Sequence, residues 1–167
     1  MEHRKSARET TSDTVTGDIE PFPWLPVLEM GNEEIDRDHR EAVEEGNHLI
    51  RLLNARDSWA ETVEMLRRSR DRSTRHFANE DKILKRAGYP GADAHRRAHR
   101  RILVELNAII AELEIVTDPQ PHHWERAHAP RNLLVDHCLH DDLKFKSHLE
   151  HVGQARRGPG RVGPNRK

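Results

Sequence analysis

HFANEDKILKRAGYPGADAHRRAH, residues 76–99, holds two pairs of polar side chains at four-residue spacing, His76 with Glu80 and His95 with His99. On a helix that spacing sets both members of a pair on one face, one turn apart. Between the pairs stands Gly88-Tyr89-Pro90-Gly91, where glycine suits a helix stop and proline cannot continue a helix. Apolar residues share the same faces: Phe77, Ile83 and Leu84 before the turn, Ala98, Ile102 and Leu106 after it. The stretch predicts two consecutive amphipathic helices with their polar pairs turned inward.

Two more apolar stripes flank this pair. Residues 33–54 read as a helix that Asn32 can cap, with Glu33 and Glu34 suited to the positive end of its dipole. Its stripe is Ile35, Ala42, Val43, Leu49, Ile50 and Leu53, and His39 falls inside it. The helix of His76 spans 59–87, and Ser58 with Glu61 has capping-box spacing. The helix of His95 spans 93–115, with Asp93 as its cap. A fourth lies within 122–152 and bears Leu133, Leu134, His137, Cys138, Phe145 and Leu149 at helical period. Pro130 either kinks it or sits near the start of its regular part. Four amphipathic helices with short connections predict an all-α fold, an antiparallel up-down-up-down four-helix bundle over residues 21–152. Residues 1–20 are polar and aperiodic, and 153–167 combine Gly, Pro and Arg, so both arms are expected to be disordered.

An apolar fraction of 34% is thin for a core, so apolar residues must gather on faces. Net charge is −1, from 28 basic and 29 acidic residues, which gives no field favouring nucleic acid or an anionic membrane. No apolar run approaches the roughly 18 residues of a membrane span. The start, MEHRKSARETTSDTVTG, lacks the apolar segment of a secretory signal. A single cysteine excludes an internal disulfide framework. A cytoplasmic monomer is the expectation.

His39, His76, Glu80, His95, His99, His137 and Asp142 all fall on or beside the inner stripes. Burying five imidazoles and two carboxylates together without a metal would be costly. The set suits iron, which accepts both imidazole nitrogen and carboxylate oxygen. A carboxylate has two oxygens and can bridge two metals. Two bridges and five terminal imidazoles would serve two irons unequally, three histidines on one and two on the other, leaving one open position for a diatomic molecule. Di-iron ferritins and oxygenases instead use four carboxylates with Glu-x-x-His pairs, which this chain lacks.

Over roughly residues 22–152 the chain resembles the bacterial hemerythrins. Trp24 and the stretch from Ile35 to His39 look like the family's opening Trp and first ligand helix. His76-Phe77-Ala78-Asn79-Glu80 resembles the HFxxE motif, Tyr89-Pro90 followed by His95 and His99 resembles YP…HxxxH, and His137 with Asp142 resembles HxxxxD. The resemblance implies reversible O2 binding by two Fe ions joined by an oxo or hydroxo bridge. His95, His99 and His137 would hold one iron, His39 and His76 the other, and Glu80 and Asp142 would bridge. Phe77, Leu134 and Cys138 would line the O2 pocket. Asp142 is about 140° around an ideal helix from His137, whereas Asp141 points closer to it. Choosing Asp142 therefore predicts a local widening near 138–142 of the π kind. Two departures stand out: Leu133 and Phe145 replace a Trp and a Tyr common in the family.

Three functions compete. A non-enzymatic oxygen binder for storage, delivery or buffering is the leading reading, with O2 as partner and a protein client for delivery. A di-iron enzyme scavenging peroxide, O2 or nitric oxide is the second. An oxygen- or redox-sensing interaction module is the third, with Cys138 as a thiol sensor rather than a small buried hydrophobe. His3, His48, His122, His123, His128, His140, His148 and His151 are expected to be solvated or incidental surface ligands.

Overall fold

A computed structural model describes residues 19–157 of the chain. Three long helices come first: α1 (Glu33–Ala55), α2 (Trp59–Arg86) and α3 (Ala92–Glu114). A short helix α4 (Pro121–Arg126) precedes the fourth arm of the bundle. That arm is α5 (Ala129–His137), a π-helical turn (Cys138–Asp142) and α6 (Leu143–Arg157) in direct succession. The helices form an antiparallel up-down-up-down bundle, and no strand occurs among the described residues. The fourth arm runs to Arg157, past the boundary expected at 152. Residues 1–18 and 158–167, most of the two arms expected to be disordered, lie outside the described residues.

Local chemistry sets the helix ends. The Asn32 side chain accepts from the backbone N–H of Glu34 and Ile35 and caps α1. Ser58 caps α2 by accepting from Glu61 N. Gly88, at φ 68, supplies the left-handed residue after α2, and Tyr89 N donates to Leu84 O across it. Asp93 does not cap α3: Gly91 occupies that place, and the Asp93 carboxylate, in the first turn of the helix, pairs with Arg96. Gly91 packs closely there: a Cβ would fall 2.7 Å from the Tyr89 ring, which would have to shift to admit it. Pro130 stands in the first turn of α5, where its missing N–H costs no helix bond.

The buried apolar residues form two clusters. One gathers Leu49, Leu53, Met65, Leu66, Ile109, Ile110, Leu113 and Trp124. The other gathers Met30, Ile35, Ile83, Leu84, Phe145 and Leu149. On α1 and α2 a polar layer separates them: His39 lies between Ile35 and Leu49, and His76 and Glu80 between Leu66 and Ile83. Burial of each large side chain stabilises by roughly 1.5–3 kcal/mol, so the two clusters clamp the polar layer from both ends.

A strap over residues 19–25 lies along α1, tied by two asparagines. Phe22 N donates to Asn47 Oδ1 at 2.7 Å, and Asn47 Nδ2 donates to Phe22 O at 2.8 Å. Asn54 does the same for Ile19, at 3.2 and 2.9 Å. Ile19 and Glu20, placed by the sequence in the disordered arm, are therefore part of the folded unit.

Candidate metal centre

Four helical arms each contribute to the polar layer. His39 comes from α1, His76 and Glu80 from α2, His95 and His99 from α3, and His137 and Asp142 from either side of the π turn. Glu80 and Asp142 are 0% and 1% exposed. Glu80 Oε2 lies 3.5 Å from His76 Nε2, 3.6 Å from His95 Nε2 and 3.3 Å from His99 Nε2. Asp142 divides its oxygens: Oδ1 is 3.0 Å from His137 Nε2 and 3.4 Å from His95 Nε2, while Oδ2 is 3.5 Å from His39 Nε2. His39 Nε2 and His76 Nε2 are 3.2 Å apart.

Three overlapping groups of donor atoms could each hold an ion: Glu80, His95, His99, His137 and Asp142; His39, His76 and Glu80; and His39, Cys138 and Asp142. Both oxygens of Glu80, Nε2 of His95, His99 and His137, and Oδ1 of Asp142 are buried without a hydrogen-bond partner. Unpartnered buried groups of this kind are costly and rare. Here they converge on a shared space, which is the arrangement a cation would satisfy. The donor chemistry, imidazole nitrogen with carboxylate oxygen, suits iron.

Three of the imidazoles are oriented from behind by aspartates. His99 Nδ1 is 2.9 Å from Asp81 Oδ1, His76 Nδ1 is 3.3 Å from Asp38 Oδ2, and His137 Nδ1 is 3.3 Å from Asp141 Oδ2. An Nδ1–H donated outward leaves Nε2 free to face a metal. Asp38, Asp81 and Asp141 each precede or follow a residue of the layer in sequence, yet the sequence reading did not single out Asp38 or Asp81. Their signal was adjacency to a ligand, which has meaning only once the facing helix is known. Asp141, the rival to Asp142, takes this outer place because the π turn rotates Asp142 inward.

The electrostatics follow the burial. Burial alone would raise the Glu80 carboxyl, but the imidazoles of His95, His99 and His76 outweigh it and hold it well below the usual range. Burial lowers His39, with Asp142 opposing. His137 is raised, because Asp142 overcomes the cost of its burial. Burial, with the Asp142 and Glu80 charges, pushes the Cys138 thiol up. A raised thiol pKa disfavours the reactive thiolate.

Phe77 stacks on His99 with ring centroids 3.9 Å apart and 9° between planes, and meets His137 edge-on. Leu134 and Cys138 face the same space beside His39, with Cys138 Sγ 3.9 Å from His39 Nδ1. Phe145, fully buried, stands edge-on to both His95 and Tyr89. Of the histidines expected to be solvated, His148 instead reaches Ala87 O at 2.9 Å, and His123 Nδ1 accepts from Gln120 N to cap α4. His3 lies outside the described residues.

The family profile described as Hemerythrin HHE cation binding domain matches residues 30–149. A bacteriohemerythrin of Campylobacter jejuni is 32% identical over 85 residues, which is 50% of this chain and 63% of that protein. A bacteriohemerythrin of Stenotrophomonas maltophilia is 34% identical over 76 residues, 46% of this chain and 49% of that protein. The match thus spans less than two thirds of either bacterial relative. A myohemerythrin of Theromyzon tessulatum is 25% identical over 130 residues, 78% of this chain and 95% of that protein. No described helix is long and apolar enough to cross a membrane.

Proposed function

The chain belongs to the hemerythrin HHE cation-binding family, and on that footing we propose that it binds O2 reversibly at a pair of non-haem irons, as a binder rather than an enzyme. The observation that carries the reading is the unequal sharing of two buried carboxylates: three histidines lie on one side of the layer and two on the other. In this assignment His95, His99 and His137 would hold one iron, His39 and His76 the other, and Glu80 and Asp142 would serve both.

Iron supplies the reversible electron transfer through which O2 is taken up and released. The protein's part is to position, to neutralise and to keep water out. Asp38, Asp81 and Asp141 fix the imidazole planes and tautomers. The two carboxylates, 0% and 1% exposed, offset cationic charge in the layer. Phe77 and Leu134 wall the two-histidine side with apolar surface. Cys138, small and with its thiol pKa raised, extends that wall in this reading.

The test is iron counted per chain together with the visible spectrum, reduced without air and then exposed to O2. Two irons and an absorption band that appears with O2 and vanishes on its removal support the reading. Two irons with immediate, lasting loss of any oxygenated form move the assignment to an enzyme or sensor. No iron overturns it.

A further inference from the structure

The outer face of α3 carries an exposed apolar stripe. Val104, Ala108, Ala111 and Ile115, the last of them the C-cap residue, are all exposed. Their spacing of four, three and four residues sets them in line on one side of the helix. Leu106, Ile109, Ile110 and Leu113 take the opposite side and are buried in the core. Val104 and Ile115 are 70% and 78% exposed, the most of any large apolar side chain among the described residues. An alanine on an exposed helix has helix propensity as its reason. A β-branched valine has no such reason, and exposed positions are where the charges of a 34% charged chain belong.

The charges at the two ends of the stripe are sorted by sign. Arg96, Arg97, Arg100 and Arg101 precede it, Glu112, Glu114 and Asp118 gather at its far end, and Glu105 is the one charge beside its middle. Of the four arginines only Arg96 has an acidic partner among the described residues, Asp93. Glu112 and Glu114 pair with Arg126 and Arg67 at 3.1 and 3.0 Å but stay 53% and 38% exposed. Both glutamates stand in the last turn of α3 with no base in that turn, against the helix dipole. A helix with a basic start and an acidic end complements a second copy of itself only when the two run antiparallel.

We propose that the outer face of α3 is a self-association surface, on which a second copy of this chain docks antiparallel about a two-fold axis near Asn107 and Ala108. In that register Val104 of each copy lies over Ala111 of the other. Arg97 faces Asp118, and Arg100 and Arg101 reach Glu112 and Glu114. The small side chains of Ala108 and Ala111 let the helices come toward the near end of the usual interaxial range of about 8–10 Å. One helix face buries less than the roughly 1,600 Å² of a standard stable complex. The dimer is therefore weak and concentration-dependent, where the sequence led us to expect a monomer. His95 and His99 lie on the core side of α3, so the dimer leaves the metal layer alone and does not depend on the oxygen-binding reading.

Sedimentation velocity on the full chain with iron bound, from micromolar to millimolar concentration, is the test. Wild type should pass reversibly from monomer to dimer, and the association should weaken as salt rises. Val104→Asp should weaken it at least tenfold. Arg100→Glu combined with Arg101→Glu should do the same, and so should Glu112→Arg combined with Glu114→Arg. Mixing the two charge-reversed proteins should restore a dimer, because each then offers the sign the other lacks. Circular dichroism and iron content establish that each variant is folded. A wild type that stays monomeric at every concentration overturns the proposal. So does a dimer that Val104→Asp and both charge reversals leave unchanged, and so does a mixture of the reversed proteins that fails to pair.

Discussion

Asp81 follows Glu80 in sequence but serves a different helix: its Oδ1 lies 2.9 Å from Nδ1 of His99 on α3. The contact orients an imidazole whose Nε2 faces Glu80 at 3.3 Å. Carboxylates behind metal-bound histidines fix the ring and raise its basicity, and their loss typically costs about 10- to 100-fold in metal affinity. Asp81→Ala should weaken iron retention by that order. Asp81→Asn, which keeps an acceptor, should weaken it less. Competition with a chelator, on samples of equal helicity, measures both. Equal retention by Asp81→Ala and wild type would mean the contact is incidental.

Glu80 links the same layer to pH. Its folded pKa is depressed because surrounding imidazoles outweigh the cost of burial. A depressed carboxyl contributes stability that is complete above the ordinary value of 4.5 and is lost as pH falls through the lowered folded value. His39, also lowered, adds a loss that begins as pH falls through 6.5. His137 has the opposite sign: it is raised, so its contribution is present below 6.5 and fades as pH rises through its folded value. The two histidines oppose each other near pH 6.5, so the metal-free protein should lose stability toward acid chiefly below pH 4.5, where the Glu80 loss sets in. Glu80→Gln should flatten the part of that loss below pH 4.5. Urea midpoints across pH for the two proteins give the comparison, and parallel curves would remove Glu80 as a cause.

Two glycines should respond to alanine with opposite signs. Gly46 is helical and faces open space, so Gly46→Ala should stabilise by about 0.5–1 kcal/mol through helix propensity. Gly88 has φ 68 at the end of α2. Alanine there meets no clash, since nothing lies within 4 Å, but the left-handed backbone itself disfavours a side chain by roughly 1–2 kcal/mol. Urea denaturation resolves shifts of this size. Stabilisation by both substitutions would contradict the Gly88 argument.

The bundle is legible in the sequence because its signals are local and periodic. The stripe of α1 with Asn32 before it, and the stop at Gly88, each follow from a few neighbouring residues. The gathering of seven ligand-type side chains is legible for the same reason, since residues one turn apart share a face. What escapes is long-range. Asn47 and Asn54 look like solvated helix residues until the strap at 19–25 is placed against them. Asp38 looks solvated until α2 brings His76 to it. His148 looks incidental until its contact with Ala87 O closes the end of the bundle. Asp93 misled because capping is decided by which residue starts the turn, and the tight packing of Gly91 under Tyr89 sets that start.

Asp141 and Asp142 are neighbours of identical chemistry, and the π turn gives them different roles. Asp142 is 1% exposed and places one oxygen toward His137 and His95 and the other toward His39. Asp141 is 34% exposed, with Oδ2 on His137 Nδ1 and Oδ1 on Lys144 at 2.7 Å. In a regular helix the residue four places after His137 would share its face, so the roles would be exchanged. The extra residue in the turn is what brings the fifth place inward. Asp142→Ala should therefore remove a ligand common to both sides and drop iron well below two per chain. Asp141→Ala should leave two irons bound, with affinity reduced by about tenfold or somewhat more through the loosened His137 ring. Iron counted after dialysis, with chelator competition for whichever variants retain it, measures both. Loss of iron from Asp141→Ala alone would reverse the assignment and imply that the turn closes to a regular helix when metal binds.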